Sequence, residues 1–144
     1  MKVLLISSFA WIIAQLNKVI YYYYLNKKIN LRLFTTSGGM PSAHSAFITA
    51  VTLQIGIIEG FDSSVFALAA SIASIVIYDS FNVRRSVGIQ GQTINLMLEY
   101  YKNLDNSEDI KELKEVMGHT PLQVFFGILL GTLIVFISKI LGLI

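Results

Sequence analysis

The chain has 144 residues, of which 54% are hydrophobic and only 14% are charged. Its mean hydropathy is +0.64. So few charged side chains cannot cover the surface of an ordinary soluble domain, and the composition therefore predicts a membrane protein. The net charge of +2 is too small to indicate a nucleic-acid partner. The absence of cysteine excludes disulfides and thiolate chemistry, and two histidines without a Cys or carboxylate cluster predict no metal site.

Four apolar stretches are long enough to cross a bilayer, which takes about 20 apolar residues in a helix. They lie at residues 3–25, 43–60, 63–82 and 121–143. The first stretch follows Lys2, as in a secretory signal, but it ends in the interfacial tyrosine run from Tyr21 to Tyr24 and we expect it to be retained. We predict an all-α integral membrane bundle of about four transmembrane helices, in a single domain over residues 1–144.

The polar segment from residue 83 to residue 118 contains two further helical patterns. Ser107 is a suitable N-cap for a helix with apolar residues at helical spacing, which Gly118 would end. A weaker pattern covers residues 90–103. We predict two short helices that lie at the membrane interface or over a site.

The charge distribution predicts a topology. Four crossings place residues 26–41 and 83–118 on one face and the turn at residues 59–63 on the other. Eight Lys and Arg residues fall on the first face and two on the opposite face, with Lys18 inside the first helix. The eight are Lys27, Lys28, Arg32, Arg84, Arg85, Lys102, Lys111 and Lys114, and the two are Lys2 and Lys139. The positive-inside rule then predicts a multi-pass protein whose long-segment face is cytoplasmic.

A glycine-containing loop turns into the second helix at Gly38-Gly39-Met40-Pro41-Ser42-Ala43-His44. With Pro41 near the first helical position, free backbone N–H groups and the helix dipole favour an anion there. Ser42 adds a hydroxyl donor, and His44 can exchange a proton near neutral pH. The alternative is a glycine hinge with a capping serine and an incidental histidine.

A second junction, Gly118-His119-Thr120-Pro121-Leu122-Gln123, opens the last helix. Thr120 as N-cap, Pro121 at the first position and Gln123 at the third form a capping box, which needs no function. His119 lies outside that box, and the predicted topology places it on the same face as His44. Two histidines at two helix starts on one face favour a functional site.

Basic side chains accompany both junctions: Lys18 in the first helix, Arg32 before the glycine loop, and Arg84 and Arg85 after the third apolar stretch. Guanidinium groups bind phosphate in bidentate fashion, and a lysine inside a membrane segment is a functional candidate. The alternative for the lysine is that its side chain snorkels to the membrane interface. The alternative for the two adjacent arginines is that they only set the orientation of the helix in the membrane. Asp79 is expected to support the site by pairing with a lysine or an arginine. Gln15 lies on the same helix face as Lys18.

These motifs, in this order over residues 15–131, resemble the type 2 phosphatidic acid phosphatases and the related vanadium-dependent haloperoxidases. The chain is most similar to the divergent membrane branch of that group. The resemblance rests on the glycine loop through His44, on Asp79-x-x-x-Val83-Arg84-Arg85, and on Gly118-His119-Thr120-Pro121 with Gln123.

The resemblance implies a metal-free and cofactor-free phosphatase that acts on a membrane lipid phosphate or pyrophosphate, with vanadate as a phosphate mimic. It implies that His119 is the nucleophile that forms a phosphohistidine and that His44 protonates the leaving oxygen and then activates water. The implied phosphate-binding groups are Lys18, Arg32, Arg84 or Arg85, Ser42 and the Gly39 backbone.

Gln123 stands where the family has an acidic residue. This difference favours a rival function, a non-catalytic lipid-phosphate binding or transport protein that keeps the same pocket. The histidine pair favours the enzyme, and a purely structural bundle leaves the two histidine junctions unexplained.

Overall fold

A computed structural model describes residues 1–30, 34, 39–105, 113 and 118–144. The secondary structure in these ranges is helical, which confirms the predicted all-α class. The helices are α1 (Lys2–Asn26), α2 (Ala43–Glu59), α3 (Ser64–Tyr78), α4 (Arg84–Asp105) and α5 (Pro121–Ile140). A π-helical turn, Asp79–Val83, joins α3 directly to α4.

Within the described ranges, three helical segments are long and apolar enough to cross a membrane, namely α1, α5 and the continuous segment Ser64–Lys102. The fourth apolar helix, α2, has 17 residues and is the shortest of the predicted spans. Helix α2 is central in the bundle, because it contacts α1, α3 and α5. All four apolar stretches predicted from the sequence are therefore helical.

The prediction that the third helix ends near residue 82, before a separate short helix at residues 90–103, is wrong. The helix passes through the π-helical turn and continues to Asp105. From the end of α3 through α4 the sequence changes from apolar to polar, but this stretch contains no proline to break the helix. The change in polarity therefore marks the end of the apolar segment and does not mark the end of the helix.

The second predicted short helix, from Ser107 to Gly118, falls mostly outside the described residues. Leu113 within it is described, and its backbone is held by Asn95 of α4. The Asn95 side chain accepts from the Leu113 N–H at 2.8 Å and donates to the Leu113 carbonyl at 2.9 Å. These two bonds fix part of the polar segment against α4.

Small residues allow α2 to approach its neighbours closely. Ala14 of α1 packs against Ala43 and Ala46 of α2. In addition, Gly127 of α5 lies against the Ser42 carbonyl and Gly131 against the Ala46 carbonyl, where an added Cβ would clash with the oxygen. Such contacts are the usual means of tight helix packing in membranes. They bring both α1 and α5 close to the start of α2, and α1 and α5 also contact each other.

The N-termini of α2 and α5 are joined by a hydrogen bond. Ser42 is the N-cap of α2, and its backbone N–H donates to the Gln123 carbonyl in the first turn of α5 at 2.9 Å. Pro41 therefore precedes the N-cap, and the prediction that it occupies an early helical position is wrong. Both helix starts lie together at one end of the bundle, as the topology predicted.

Candidate functional site

The two histidines lie side by side at this end of the bundle. His44 is in the first turn of α2 and is exposed, whereas His119 lies just before the N-cap of α5 and is only 3% exposed. Their ring centroids are 6.4 Å apart and the ring planes meet at 59°. A single phosphoryl group is small enough to contact both rings at this separation, because proton transfer to an oxygen needs about 2.6–3.2 Å between heavy atoms.

The main chain around His119 is fixed by the π-helical turn. The His119 backbone N–H donates to the Ser80 carbonyl at 2.9 Å, and Ser80 is buried within that turn. Gly118 lies directly against the Arg84 and Arg85 backbone, where a Cβ would overlap main-chain atoms. Sequence reasoning missed both contacts. The sequence predicts Gly118 as the stop of a helix that falls mostly outside the described residues, and the structure shows in addition that close approach requires glycine there.

The ring of His119 is oriented by Gln123. The predicted capping box is present: the Thr120 hydroxyl accepts from the Gln123 N–H, and Gln123 Oε1 accepts from the Thr120 N–H at 3.1 Å. The same Oε1 atom lies 3.3 Å from His119 Nδ1. An amide oxygen can only accept, so this contact favours the tautomer with hydrogen on Nδ1 and leaves Nε2 with a free lone pair. Gln123 thus serves both as a helix cap and as a partner of the histidine.

Lys18 brings a positive charge to the site from α1. Its side chain is only 6% exposed. Within the part of the chain that the structure describes, it has no hydrogen-bond partner and no paired carboxylate. Gly39, with φ of +82°, lies beside its stem, so that a Cβ there would stand 3.4 Å from Lys18 Cδ. Gly39 therefore packs along the Lys18 side chain.

Gln15 lies one turn before Lys18 and is also buried. Residues three apart on a helix are neighbours on one face. Its Oε1 atom has no hydrogen-bond partner among the described residues. A buried acceptor without a partner is costly, so this atom is available to a ligand that carries a proton.

The predicted support from Asp79 involves an arginine and not Lys18. Arg84 Nε donates to Asp79 Oδ2 at 2.7 Å, and the two side chains are 50% and 37% exposed. Arg84 acts electrostatically on both His44 and His119. Only its Nε contacts Asp79 in this pair, and no bond from its terminal guanidinium nitrogens to another described residue is seen, so these nitrogens could bind an oxyanion. The backbone of Arg85 packs directly against Gly118.

The structure does not test the predicted phosphate contacts of two other site residues, Arg32 and Ser42. Arg32 lies outside the described residues, so its phosphate contact stays a prediction. Ser42 is fully buried, and its Oγ accepts from the Ser45 N–H at 3.3 Å and the Ser45 hydroxyl at 3.0 Å. Ser42 therefore serves as the cap of α2, and its predicted donation to phosphate stays untested.

The environment of His119 lowers its pKa below the usual value of about 6.5. Burial is the main cause, because it disfavours the charged imidazolium. The hydrogen bond to Gln123 opposes the shift, while the charges of Lys18, His44 and Arg84 reinforce it. His119 is thus neutral near pH 7.

The described residues contain no group of three or more His, Cys, Asp or Glu side chains placed to hold a metal ion. The site instead combines two imidazoles with an ammonium and a guanidinium group. Such a combination suits a phosphoryl group, because cations stabilise its oxygens and the imidazoles supply nucleophilic and proton-transfer chemistry.

Comparisons with known proteins identify the family of the chain. A family model described as "Divergent PAP2 family" matches residues 1–134. The chain is similar to the uncharacterized membrane protein YuiD of Bacillus subtilis (strain 168), with 40% identity over 141 residues that cover 90% of this chain and 89% of the relative. No solved structure matches significantly.

Proposed function

The chain belongs to the divergent PAP2 family, and on that premise we propose that it is a membrane phosphatase that hydrolyses a lipid phosphate or pyrophosphate through a phosphohistidine. The observation that carries the proposal is the buried ammonium of Lys18, which has no partner among the described residues, beside two histidines 6.4 Å apart. Burying a charge without a partner is unfavourable by several kcal/mol in typical proteins, roughly the cost that a bound anion would relieve. A phosphate is the anion that the histidines can also transform.

In the first step, His119 Nε2 attacks phosphorus and forms an N–P bond as the bond from phosphorus to the lipid oxygen breaks. His44, in its protonated form, donates a proton to that leaving oxygen, so the lipid departs as an alcohol or, from a pyrophosphate, as a monophosphate. Lys18 and Arg84 stabilise the phosphoryl oxygens as charge develops on them. Gln123 holds the attacking ring in orientation through Nδ1.

In the second step, water replaces the lipid oxygen. His44, now neutral, takes a proton from the water as its oxygen attacks phosphorus. The N–P bond breaks, its electron pair returns to His119 Nε2, and inorganic phosphate leaves. Both histidines regain their starting protonation states once the phosphate departs, so the cycle needs no metal or organic cofactor.

The site opens at one end of a multi-pass bundle, where a headgroup at the membrane surface would meet it. We place this end in the cytoplasm because of the distribution of basic residues. The native chain has no cysteine, so Asp62→Cys in the α2–α3 turn and Glu99→Cys in α4 can be labelled without background. An impermeant thiol reagent applied to intact cells should label the Asp62 variant alone. Labelling of the Glu99 variant alone would place the site outside.

The alternative is a lipid-phosphate binding or transport protein, and one observation favours it. Gln123 completes a capping box that explains its presence without catalysis. Its neutral amide also brings no negative charge to the imidazolium that would form as His119 Nε2 bonds to phosphorus. A binder would use the same cations and retain the phosphate unchanged.

Phosphate release by the purified protein in detergent, from a panel of lipid monophosphates and pyrophosphates, tests the proposal. The expected result is release that vanadate inhibits, that a chelator leaves unchanged, and that His119→Ala abolishes. Tight binding of the same lipids without release would establish the alternative. Loss of release in chelator, with recovery on adding magnesium, would contradict the metal-free mechanism.

A further inference from the structure

An apolar groove begins at His44 and runs into the membrane part of the bundle. It has a volume of about 430 Å³ and is lined by Ser8, Trp11, His44, Phe47, Ile48 and Val76. Helix α2 forms its floor, and α1 and α3, which both contact α2, form its walls. Of the two histidines, only His44 lines this groove.

The groove extends along α1 below the cationic site. Trp11 and Ser8 precede Lys18 by seven and ten residues in one continuous helix. At about 1.5 Å per residue they lie roughly 10 and 15 Å from the level of Lys18. His44, which belongs to the cationic site, thus lines the groove, and the other lining side chains are apolar except Ser8. This arrangement matches an amphiphile with a phosphate head.

The position of the groove also fits the direction of phosphoryl transfer. In an in-line displacement the leaving oxygen departs on the side of phosphorus opposite the nucleophile. With His119 as the nucleophile, that side faces His44, and His44 is the histidine that borders the groove. The part of the substrate attached to the leaving oxygen is therefore the part that the groove would receive.

We propose that this groove holds the hydrocarbon chain of a single-chain lipid phosphate, with its phosphate between His44 and His119. The proposal deepens the proposed function and rests on it for the orientation of the substrate. The groove is a single space of about 430 Å³ bordered by three helices, and it adjoins the site at His44. One such groove suits one hydrocarbon chain, whereas a diacyl lipid carries two.

A second groove provides an internal control. It has a volume of about 440 Å³ and lies between α1 and α5, where Ile137 and Ser138 are among its lining residues. Neither histidine lines it. It matches the first groove in size and apolar character but lacks a polar site at its end. A lipid that binds through hydrophobicity alone would enter both.

Photo-crosslinking tests the location without requiring turnover. The probe is dodecyl phosphate with a diazirine near the end of its chain, bound to the full-length protein in detergent. We expect labelled peptides around Ser8 and Trp11 and around Phe47 and Ile48, with labelling suppressed by excess unlabelled dodecyl phosphate but not by dodecanol. Equal labelling of the groove around Ile137, or suppression by both competitors alike, would overturn the proposal.

Chain-length selectivity gives a second test through a matched pair of variants, Ile48→Trp in the proposed groove and Ile137→Trp in the control groove. The measured quantity is the ratio of kcat/KM for dodecyl phosphate to that for butyl phosphate. Ile48→Trp should lower this ratio by at least about fivefold, the low end of overpacking costs, and Ile137→Trp should leave it unchanged. Equal ratios in the two variants would contradict the proposal.

The two tests separate this inference from the proposed function. If wild-type protein hydrolyses neither the alkyl phosphates nor any member of the lipid monophosphate and pyrophosphate panel, but the probe labels the groove beside His44, the phosphatase proposal fails and the tail site stands. If both alkyl phosphates are hydrolysed but phosphatidate is hydrolysed faster than dodecyl phosphate, the phosphatase stands and the single-chain assignment fails.

Discussion

Gln123 Oε1 lies 3.3 Å from His119 Nδ1 and 3.1 Å from the Thr120 backbone nitrogen. One amide oxygen therefore caps helix α5 and orients the ring of the proposed nucleophile. The helix-capping and catalytic interpretations of Gln123 need not exclude each other, because an oxygen with two lone pairs serves both contacts. They differ in what they predict when the charge at this position changes.

Gln123→Glu should raise kcat by at least about tenfold, equivalent to about 1.4 kcal/mol of barrier. A carboxylate keeps the hydrogen bond to Nδ1 and adds a negative charge that stabilises a developing imidazolium. Glutamate is also a favourable third residue in a capping box, so thermal stability should hold or improve slightly. Measuring kcat and the Tm of the same purified variant separates the two effects. Unchanged kcat in a folded variant would leave Gln123 as a cap and favour the lipid-binding alternative.

His44→Ala should distinguish substrates by their leaving groups. An alkyl phosphate needs a proton on the departing oxygen, and loss of the general acid should lower its kcat by about 10²-fold or more. A nitrophenyl phosphate leaves as a stable anion, so its rate should fall far less. The measurement is the ratio of the two rates in wild-type and variant protein. An equal loss for both substrates would remove His44 from the role of acid.

Lys18→Met should weaken inhibition by vanadate by at least about tenfold, or about 1.4 kcal/mol of binding. The variant removes the buried charge while keeping a long apolar stem. Because Lys18 has no partner among the described residues, its removal should not lower the Tm. Lys139→Met, at the exposed last turn of α5, is the matched control and should leave inhibition unchanged. Equal inhibition of the two variants would argue against Lys18 as an anion site.

His119 should titrate below the ordinary histidine pKa of about 6.5, because burial disfavours its charged form. The unfolded chain then binds more protons than the folded one as pH falls through about 6.5, so this histidine lowers stability toward acid pH. Since the chain has only two histidines, NMR of isotope-labelled histidine in His44→Ala protein reports His119 alone. A midpoint at or above 6.5 would contradict the buried, neutral ring.

The helices and both histidine junctions were predictable because their signals are local. Apolar length indicates a membrane helix, and the sequence Thr120-Pro121-Leu122-Gln123 specifies a capping box through side chains alone. The joint position of His44 and His119 followed from counting crossings. The structure adds the distance of 6.4 Å that makes the pair chemically meaningful.

Contacts made by the backbone were not predictable. The Ser80 carbonyl that holds His119 has no signature in residue type, and the π-helical turn that positions it falls where polarity changes without a helix stop. Gly118 gave a signal, but glycine is equally typical of a helix end and of close packing. The apolar groove depends on how α1 and α3 pack on α2, which periodicity does not specify.

The most direct test of the central claim is whether the phosphoryl group becomes attached to His119. Purified protein mixed with a radiolabelled single-chain lipid phosphate and quenched rapidly in alkali should retain label on a histidine, since phosphohistidine is stable to base and labile to acid. The account predicts that this label maps to His119, disappears in His119→Ala and persists in His44→Ala supplied with a nitrophenyl phosphate. Steady phosphate release with undiminished turnover in His119→Ala would contradict it.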